Sequence, residues 1–374
     1  MTKNSFDRRE WSGAFGDLGI FIPFVVGYIA VVKMNPSSIF VSFGVFLIVS
    51  GFHYKTPFPV QPMKAIGGAA ITGAGAITPG MIWGAGFFTG AFWLIAGLSG
   101  VIGHLSKIAG KAVVKGIVLG LGISFIMDGT DLMRTGIPVA AAALALVFAL
   151  SENRYVPAMF ALIVFGITVQ VVQHPGVWHE LASIRPSLSL PEFPPVHLTW
   201  QELGAGIFVL AVPQIPLSLG NAVIAVTAEN NRLFPDRPVS EKKTAVFQGI
   251  MNLASPLIGG VPMCHGAGGM AAHVRFGART GGAVVIFGVT LVASGLLFGD
   301  SALILLSLIP SAVLGAMMFF AGLEMALSAR DASSDKKDFC VLIVTAGFSL
   351  WNVGIGFATG VIMQEALKRN VFKV

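Results

Sequence analysis

Two short stretches, PVQPMKAIGGA at 59–69 and VPMCHGAGGMA at 261–271, hold the side chains on which chemistry could turn. Each sets a Pro-Met step ahead of glycines. The first runs through Gln61, Pro62 and Met63 to Lys64, and the second through Cys264 and His265 to Gly266. A cation, an imidazole and glycine-flanked backbone amides suit a dehydrated anion, because a buried charge persists only where partners converge on it. Covalent chemistry fits poorly: Cys264 has no base and third group in a recognisable triad, and reads as a small packing residue. No metal-ligand spacing and no GxxxxGK[ST] loop occurs, so neither an enzyme nor a cofactor or metal is expected.

Each of these residues also has a plainer reading. Lys64 pairs with Asp17 or snorkels toward water, and His265 is a core histidine bonded to a carbonyl. The glycines at 67, 68, 266, 268 and 269 permit close packing first and backbone approach to a ligand second. Two proline-broken segments add further polar groups: GAFGDLGIFIPFVVGY with Asp17 and Pro23, and AVPQIPLSLGNAVIAV with Gln214, Ser218 and Asn221. Gln214 and Asn221 share a face if the helix holds between them. Either they contact a ligand or they join neighbouring helices, and Ser218 either joins them or bonds backbone freed by Pro216. Asp17 is a charge-coupling candidate, or caps its helix, or neutralises Lys64. Glu324 couples protons, or pairs with Arg330, or is solvated.

The elements that position these groups must lie in a membrane. Apolar residues make up 55% of the 374 and charged residues 11%, too few polar groups to clothe a water-soluble surface. Apolar runs recur from end to end, several near the ~20 residues that cross a bilayer. The first, after MTKNSFDRRE, reads as a span and not a signal peptide. The net charge of +6 sits in small groups between spans; this is topology and not a nucleic-acid surface. Fourteen segments, with most Lys and Arg in inner loops, put both termini in the cytoplasm and the chain in the cell inner (plasma) membrane.

The Pro-rich break at 173–202 divides these segments into two groups of seven. Pro62, Met63 and Gly68 recur at Pro262, Met263 and Gly268, and Ala112, Val113 and Gly122 at Ala312, Val313 and Gly322, all 200 residues apart. An odd number per copy inverts the second copy in the membrane, as in secondary transporters. The expected domains are residues 1–175, an outer linker at 176–201, and residues 202–374. Prolines 57, 59 and 62, and Pro256, Gly259, Gly260 and Pro262, interrupt segments 3 and 10. Each then holds a half-helix starting inside the membrane, with Pro62 in the first turn of one and the other beginning near Met263. Lys64 and His265 fall in those first turns, and the positive helix ends favour an anion.

GDLGIFIPF, PFPVQPMKAIGG, VPQIPLSLGNAVIAV and PMCHGAGGMAAHVRFGARTGG together resemble the molybdate transporters related to the sulfate permease superfamily. The resemblance implies an all-α polytopic fold of seven plus seven inverted segments. A core domain (segments 1 to 4 and 8 to 11) would move against a gate domain (5 to 7 and 12 to 14), with the substrate between segments 1, 3, 8 and 10. It implies a carrier of molybdate, or sulfate, by alternating access, with a coupling proton and a homodimer compatible with it. The end of the sequence at Val374 fits the molybdate branch, since typical sulfate permeases continue into a cytoplasmic domain. Two alternatives stand beside it. A nucleobase/proton symporter of the same fold would need carboxylates in segments 8 and 10, where only Glu229 lies nearby, and an anion channel would need a continuous pore with rings of charge.

Overall fold

The computed structural model describes residues 3–73, 75–103, 110–150, 158–194, 198–302, 304, 308–327, 329–330, 335–369 and 371. Lys107, Arg154 and Lys373, three of the basic residues that the sequence reading places in inner loops and tails, lie outside the described residues. Helix dominates. Among the described residues, five helical stretches are long and apolar enough to cross a membrane: Arg8–Val31, Pro36–Tyr54, Pro79–Ser99, Lys111–Leu150 and Trp200–Leu233.

The unbroken helices have explicit ends. α3 (Pro36–Tyr54) starts where the Asn35 side chain accepts from the Ser38 N–H, with Pro36 in the first turn, and stops at Lys55 in the left-handed region at φ 60°. α5 (Pro79–Ser99) repeats the start with Thr78 and Pro79 and stops at left-handed Gly100. The proline-bearing segments behave differently. α1 (Arg8–Ala14) leads to α2 (Leu18–Val26), which contains Pro23 and widens into a π turn at Gly27–Val31. Segment 8 alternates α10 (Trp200–Ala205), a π stretch at Gly206–Ala211, α11 (Val212–Leu217), a second π stretch at Ser218–Ala225, and α12 (Val226–Leu233). Pro213 and Pro216 each withhold an amide donor, and the widened turns re-pair the carbonyls they leave. The α-helix therefore does not hold from Gln214 to Asn221, and the shared face expected of them is lost.

Long helices approach through glycine. α3 packs antiparallel on α15 (Gly282–Phe298), where a Cβ on Gly44 would lie 2.5 Å from the Gly288 carbonyl oxygen and one on Gly288 would lie 2.6 Å from that of Gly44. α6 (Lys111–Met133) and α16 (Ser311–Leu327) cross in the same manner at Gly122 and Gly322, with reciprocal distances of 2.7 and 2.5 Å. α5 lies on α13 (Glu241–Ala254), with Gly90 against the Leu253 amide and Gly249 against that of Leu94. Apolar side chains offer little drive between helices in lipid, so such backbone contact is a main source of their cohesion. Phe21 on α2 makes edge contacts with Phe43 at 5.0 Å and Phe287 at 5.5 Å, which pins α2 against α3 and α15.

At the interruptions, β1 (Gln61–Pro62) and β2 (Met263–Cys264) pair antiparallel, Gln61 opposite Cys264 and Pro62 opposite Met263. The Met63 amide donates to Pro262 O at 3.1 Å. Asn252 on α13 fills the other edge of β2, accepting from the Met263 N–H at 2.7 Å and donating to the Met263 carbonyl at 2.6 Å. The Ser50 hydroxyl donates to Phe58 O and that of Ser255 to Val261 O, both at 2.8 Å. Extended backbone inside a membrane persists because these partners satisfy it. Helices follow each strand: α4 (Lys64–Thr72) and α14 (Ala267–Arg275). This corrects the expected starts. Pairing keeps Pro62 in the strand, so α4 opens at Lys64, and it holds Met263 and Cys264 extended, so His265 precedes α14 instead of standing in its first turn.

Candidate functional site

Lys64 opens α4 and is only 2% exposed. Its ammonium donates to Gln61 Oε1 at 3.1 Å, and the Gln61 amide nitrogen lies 2.7 and 2.8 Å from the two oxygens of Asp17. Asp17 does not cap α2 with its side chain. The two opposite charges are thus joined through one amide, whose orientation is fixed because only its nitrogen can donate to a carboxylate. The relay lies against the start of α14. A Cβ on Gly266 would fall on Gln61 Oε1 and 3.3 Å from Lys64 Nζ, while one on Gly269 would fall on Gln61 Nε2 and 2.8 Å from Asp17 Oδ2.

The two half-helix starts are not alike. At α4, Gln214 reaches in from α11: its Oε1 accepts from the Ala65 N–H at 2.8 Å, and its Nε2 donates to the Ser218 hydroxyl at 2.9 Å. At α14, Gly266 has no side chain to offer, and the first amide bonded within the helix is that of Met270, to Gly266 O at 3.2 Å. Among the described residues, the amides of Ala267, Gly268 and Gly269 carry no hydrogen-bond partner. Gly268 is exposed, and a Cβ there would meet nothing within 4 Å. An electropositive helix end with a buried ammonium beside it can hold an anion.

The other candidates sit as follows. His265 is fully buried, with Nδ1 2.7 Å from Pro59 O. A carbonyl only accepts, so Nδ1 carries the proton and donates. The ring meets Tyr54 and Phe58 edge-on, and Nε2 has no hydrogen-bond partner among the described residues. The Cys264 thiol lies 3.6 Å from Pro62 O and is buried. Met63 is buried beneath the strand pair. Asn221 is half-buried, with no side-chain hydrogen bond among the described residues. Glu324 is exposed on α16.

A family model described as "Molybdate transporter of MFS superfamily" matches residues 9–125 and 206–325. "Molybdate transporter 2" of Arabidopsis thaliana is 31% identical over 410 residues, covering 96% of this chain and 87% of that protein. The chain belongs to the molybdate transporter family. "Molybdate transporter 1" of Chlamydomonas reinhardtii is 27% identical, covering 96% of this chain and 91% of that protein. Among solved structures, the transmembrane domain of the cyanobacterial bicarbonate transporter BicA aligns with a TM-score of 0.64 at 14% identity, covering 95% of this chain and 97% of that one. The murine anion transporter Slc26a9 in its inward-facing state aligns at 0.70 and 13%, covering 100% and 70%. These matches establish the fold, a mostly helical one shared with BicA and Slc26a9, even though the family description carries the MFS label. This molybdate transporter family member is accordingly an integral membrane protein whose relatives are transporters, not enzymes.

Sequence reading missed Asn252, which this family member uses to hold β2. The signal was available: Thr244, Gln248 and Asn252 recur every fourth residue in an otherwise apolar segment, and all are buried. The aromatic surround of His265 left no comparable trace, since Tyr54 and Phe58 come from one stretch and Phe247 from another, distant in sequence from each other.

Proposed function

We propose that this chain is a secondary active transporter of a tetrahedral oxyanion, molybdate first and sulfate by the same geometry, working by alternating access. The observation that carries the reading is the Lys64 ammonium beside the uncapped start of α14. A dianion loses several kcal/mol of hydration when buried, and charge-assisted donation from Lys64 with three backbone amides offsets much of that cost. The relatives' names supply molybdate. In this reading Gln61 and Gly266 shape the site, Gln214 and Ser218 hold α4, and His265 supports β2 from behind.

The architecture proposed is seven plus seven inverted segments, residues 1–175 and 202–374 about the linker, with both termini cytoplasmic in the cell inner (plasma) membrane. Its support is reciprocal packing. α3 on α15 joins segment 2 to 11, and α5 on α13 joins segment 4 to 9, as exchange of two repeats requires; α6 on α16 joins segment 5 to 12 at glycines 200 apart. The strand register, Pro62 opposite Met263, fits the same exchange, while the hydrogen bonds do not repeat it: the Met63 N–H donates to Pro262 O and the Met263 N–H to Asn252.

Uptake of labelled molybdate into proteoliposomes, with tungstate, sulfate and uracil as competitors, tests the reading. Saturable uptake is expected, displaced by the oxyanions and unaffected by uracil. Competition by uracil alone, or non-saturating unitary currents, would overturn it.

A further inference from the structure

Within the Pro-rich break of the sequence, the chain from Ser187 to Glu192 is tied to the helices on either side. The Ser187 and Ser189 amides donate to Leu297 O at 2.9 Å and Leu296 O at 2.8 Å, carbonyls of the last turn of α15 that the helix itself leaves open. From the start of α3, the Ser37 hydroxyl donates to Ser189 O at 2.7 Å, and the Ser38 hydroxyl accepts from the Glu192 amide at 2.9 Å. The Ser187 hydroxyl lies 2.9 Å from a carboxylate oxygen of Asp300. These residues form a strap at the level where α3 begins and α15 ends.

Extended chain sends successive side chains to opposite sides. Ser189 is buried against the helices, while Leu188 and Leu190 beside it are 73% and 65% exposed, and Phe193 follows at 77%. Trp200, which opens α10 at the end of the same break, is also exposed. The apolar patch is continuous with a stripe on α15, where Val289, Ala293 and Leu297 are exposed at every fourth residue of an apolar helix. In an integral membrane protein such a stripe faces lipid, and Leu297 both ends it and holds the strap.

We infer that residues 187–193 are an interfacial lipid anchor, with Leu188, Leu190 and Phe193 seated at the boundary between headgroups and acyl chains. The backbone sets the depth. Pro186, Pro191 and Pro194 carry no N–H, and the amides of Ser187, Ser189 and Glu192 are bonded inward, which leaves those of Leu188, Leu190 and Phe193 without a partner among the described residues. Hydrocarbon would penalise these donors, whereas phosphate oxygens and water at the headgroup level accept from them. Exposed Arg185 and Glu192 suit the same level, as does Trp200, a residue type enriched at membrane interfaces. The anchor stands independently of what the chain transports.

Nitroxide labels on Leu188→Cys, Leu190→Cys and Arg185→Cys, each in the full chain with Cys340→Ser and the buried Cys264 retained, test this by power saturation in lipid nanodiscs. All three labelled side chains are exposed, so the fold does not depend on them. Collisions with oxygen, which concentrates in lipid, should exceed those with a water-soluble nickel chelate at 188 and 190, with the order reversed at 185. Nickel access at 188 and 190 equal to that at 185 would put the strap in water and overturn the anchor. Labels at 188 and 190 reached by neither reagent would overturn it as well, since a protein surface such as a second copy of this chain would then cover the patch.

Discussion

Lys64→Met is expected to weaken molybdate binding by about 100-fold, equivalent to about 2.8 kcal/mol at 1.4 kcal/mol per tenfold. Methionine keeps the unbranched stem that fills the space beside Gln61 and removes only the ammonium. A buried, hydrogen-bonded charge truncated at one partner commonly costs about 2–5 kcal/mol of binding. The ligand-free protein should remain folded, since Gln61 keeps both bonds to Asp17 and the strand pair does not involve the ammonium. Labelled molybdate binding in nanodiscs, together with the rise in unfolding temperature that molybdate produces, checks this. Loss of both with a normal ligand-free transition is the expected pattern. An affinity unchanged within twofold would take Lys64 out of the site.

Gly266→Ala should be nearly as damaging by another route. Its backbone, at φ −162° and ψ 131°, is extended and open to any residue, so space and not conformation demands glycine. The new methyl group would clash with Gln61 Oε1, the atom that receives the Lys64 ammonium. Gln61 must then withdraw, which separates Asp17 from Lys64 and leaves two buried charges without their shared partner. Overpacking of this kind costs about 1–3 kcal/mol of stability, and binding should fall by at least about tenfold because Lys64 loses its place. Unlike Lys64→Met, this variant should show a lowered unfolding temperature in the absence of ligand. A variant matching the parent in both measurements would mean that the relay does not organise the site.

The contrast between these substitutions marks what sequence could and could not convey. Residue types drew attention to Lys64, because a lone cation among apolar residues needs an explanation, and the structure buries it at the opening of α4; prolines marked both interruptions. The relay itself was illegible: Asp17 and Gln61 are 44 residues apart, and no periodicity connects them. The sequence offered Asp17 as a coupling group, as a cap or as the group that neutralises Lys64; its side chain does not cap α2, and it meets Lys64 through Gln61. His265 and Lys64 occupy matching places in two similar motifs, yet pairing of β1 with β2 shifts the second helix start past the histidine. The widened turns of segment 8 were hidden for a general reason. A span apolar on nearly every face carries little helical period, so a change from α to π geometry leaves no mark in the pattern.

The central claim is that the anion sits at the start of α14 beside Lys64. A molybdenum anomalous difference map from crystals grown with molybdate locates the metal without ambiguity. The account predicts a peak within hydrogen-bonding reach of the Ala267, Gly268 and Gly269 amides and the Lys64 ammonium. A peak confined to the crevice lined by Thr135, Gln170, Gln173, His174 and Ser311, with none beside Lys64, would contradict it.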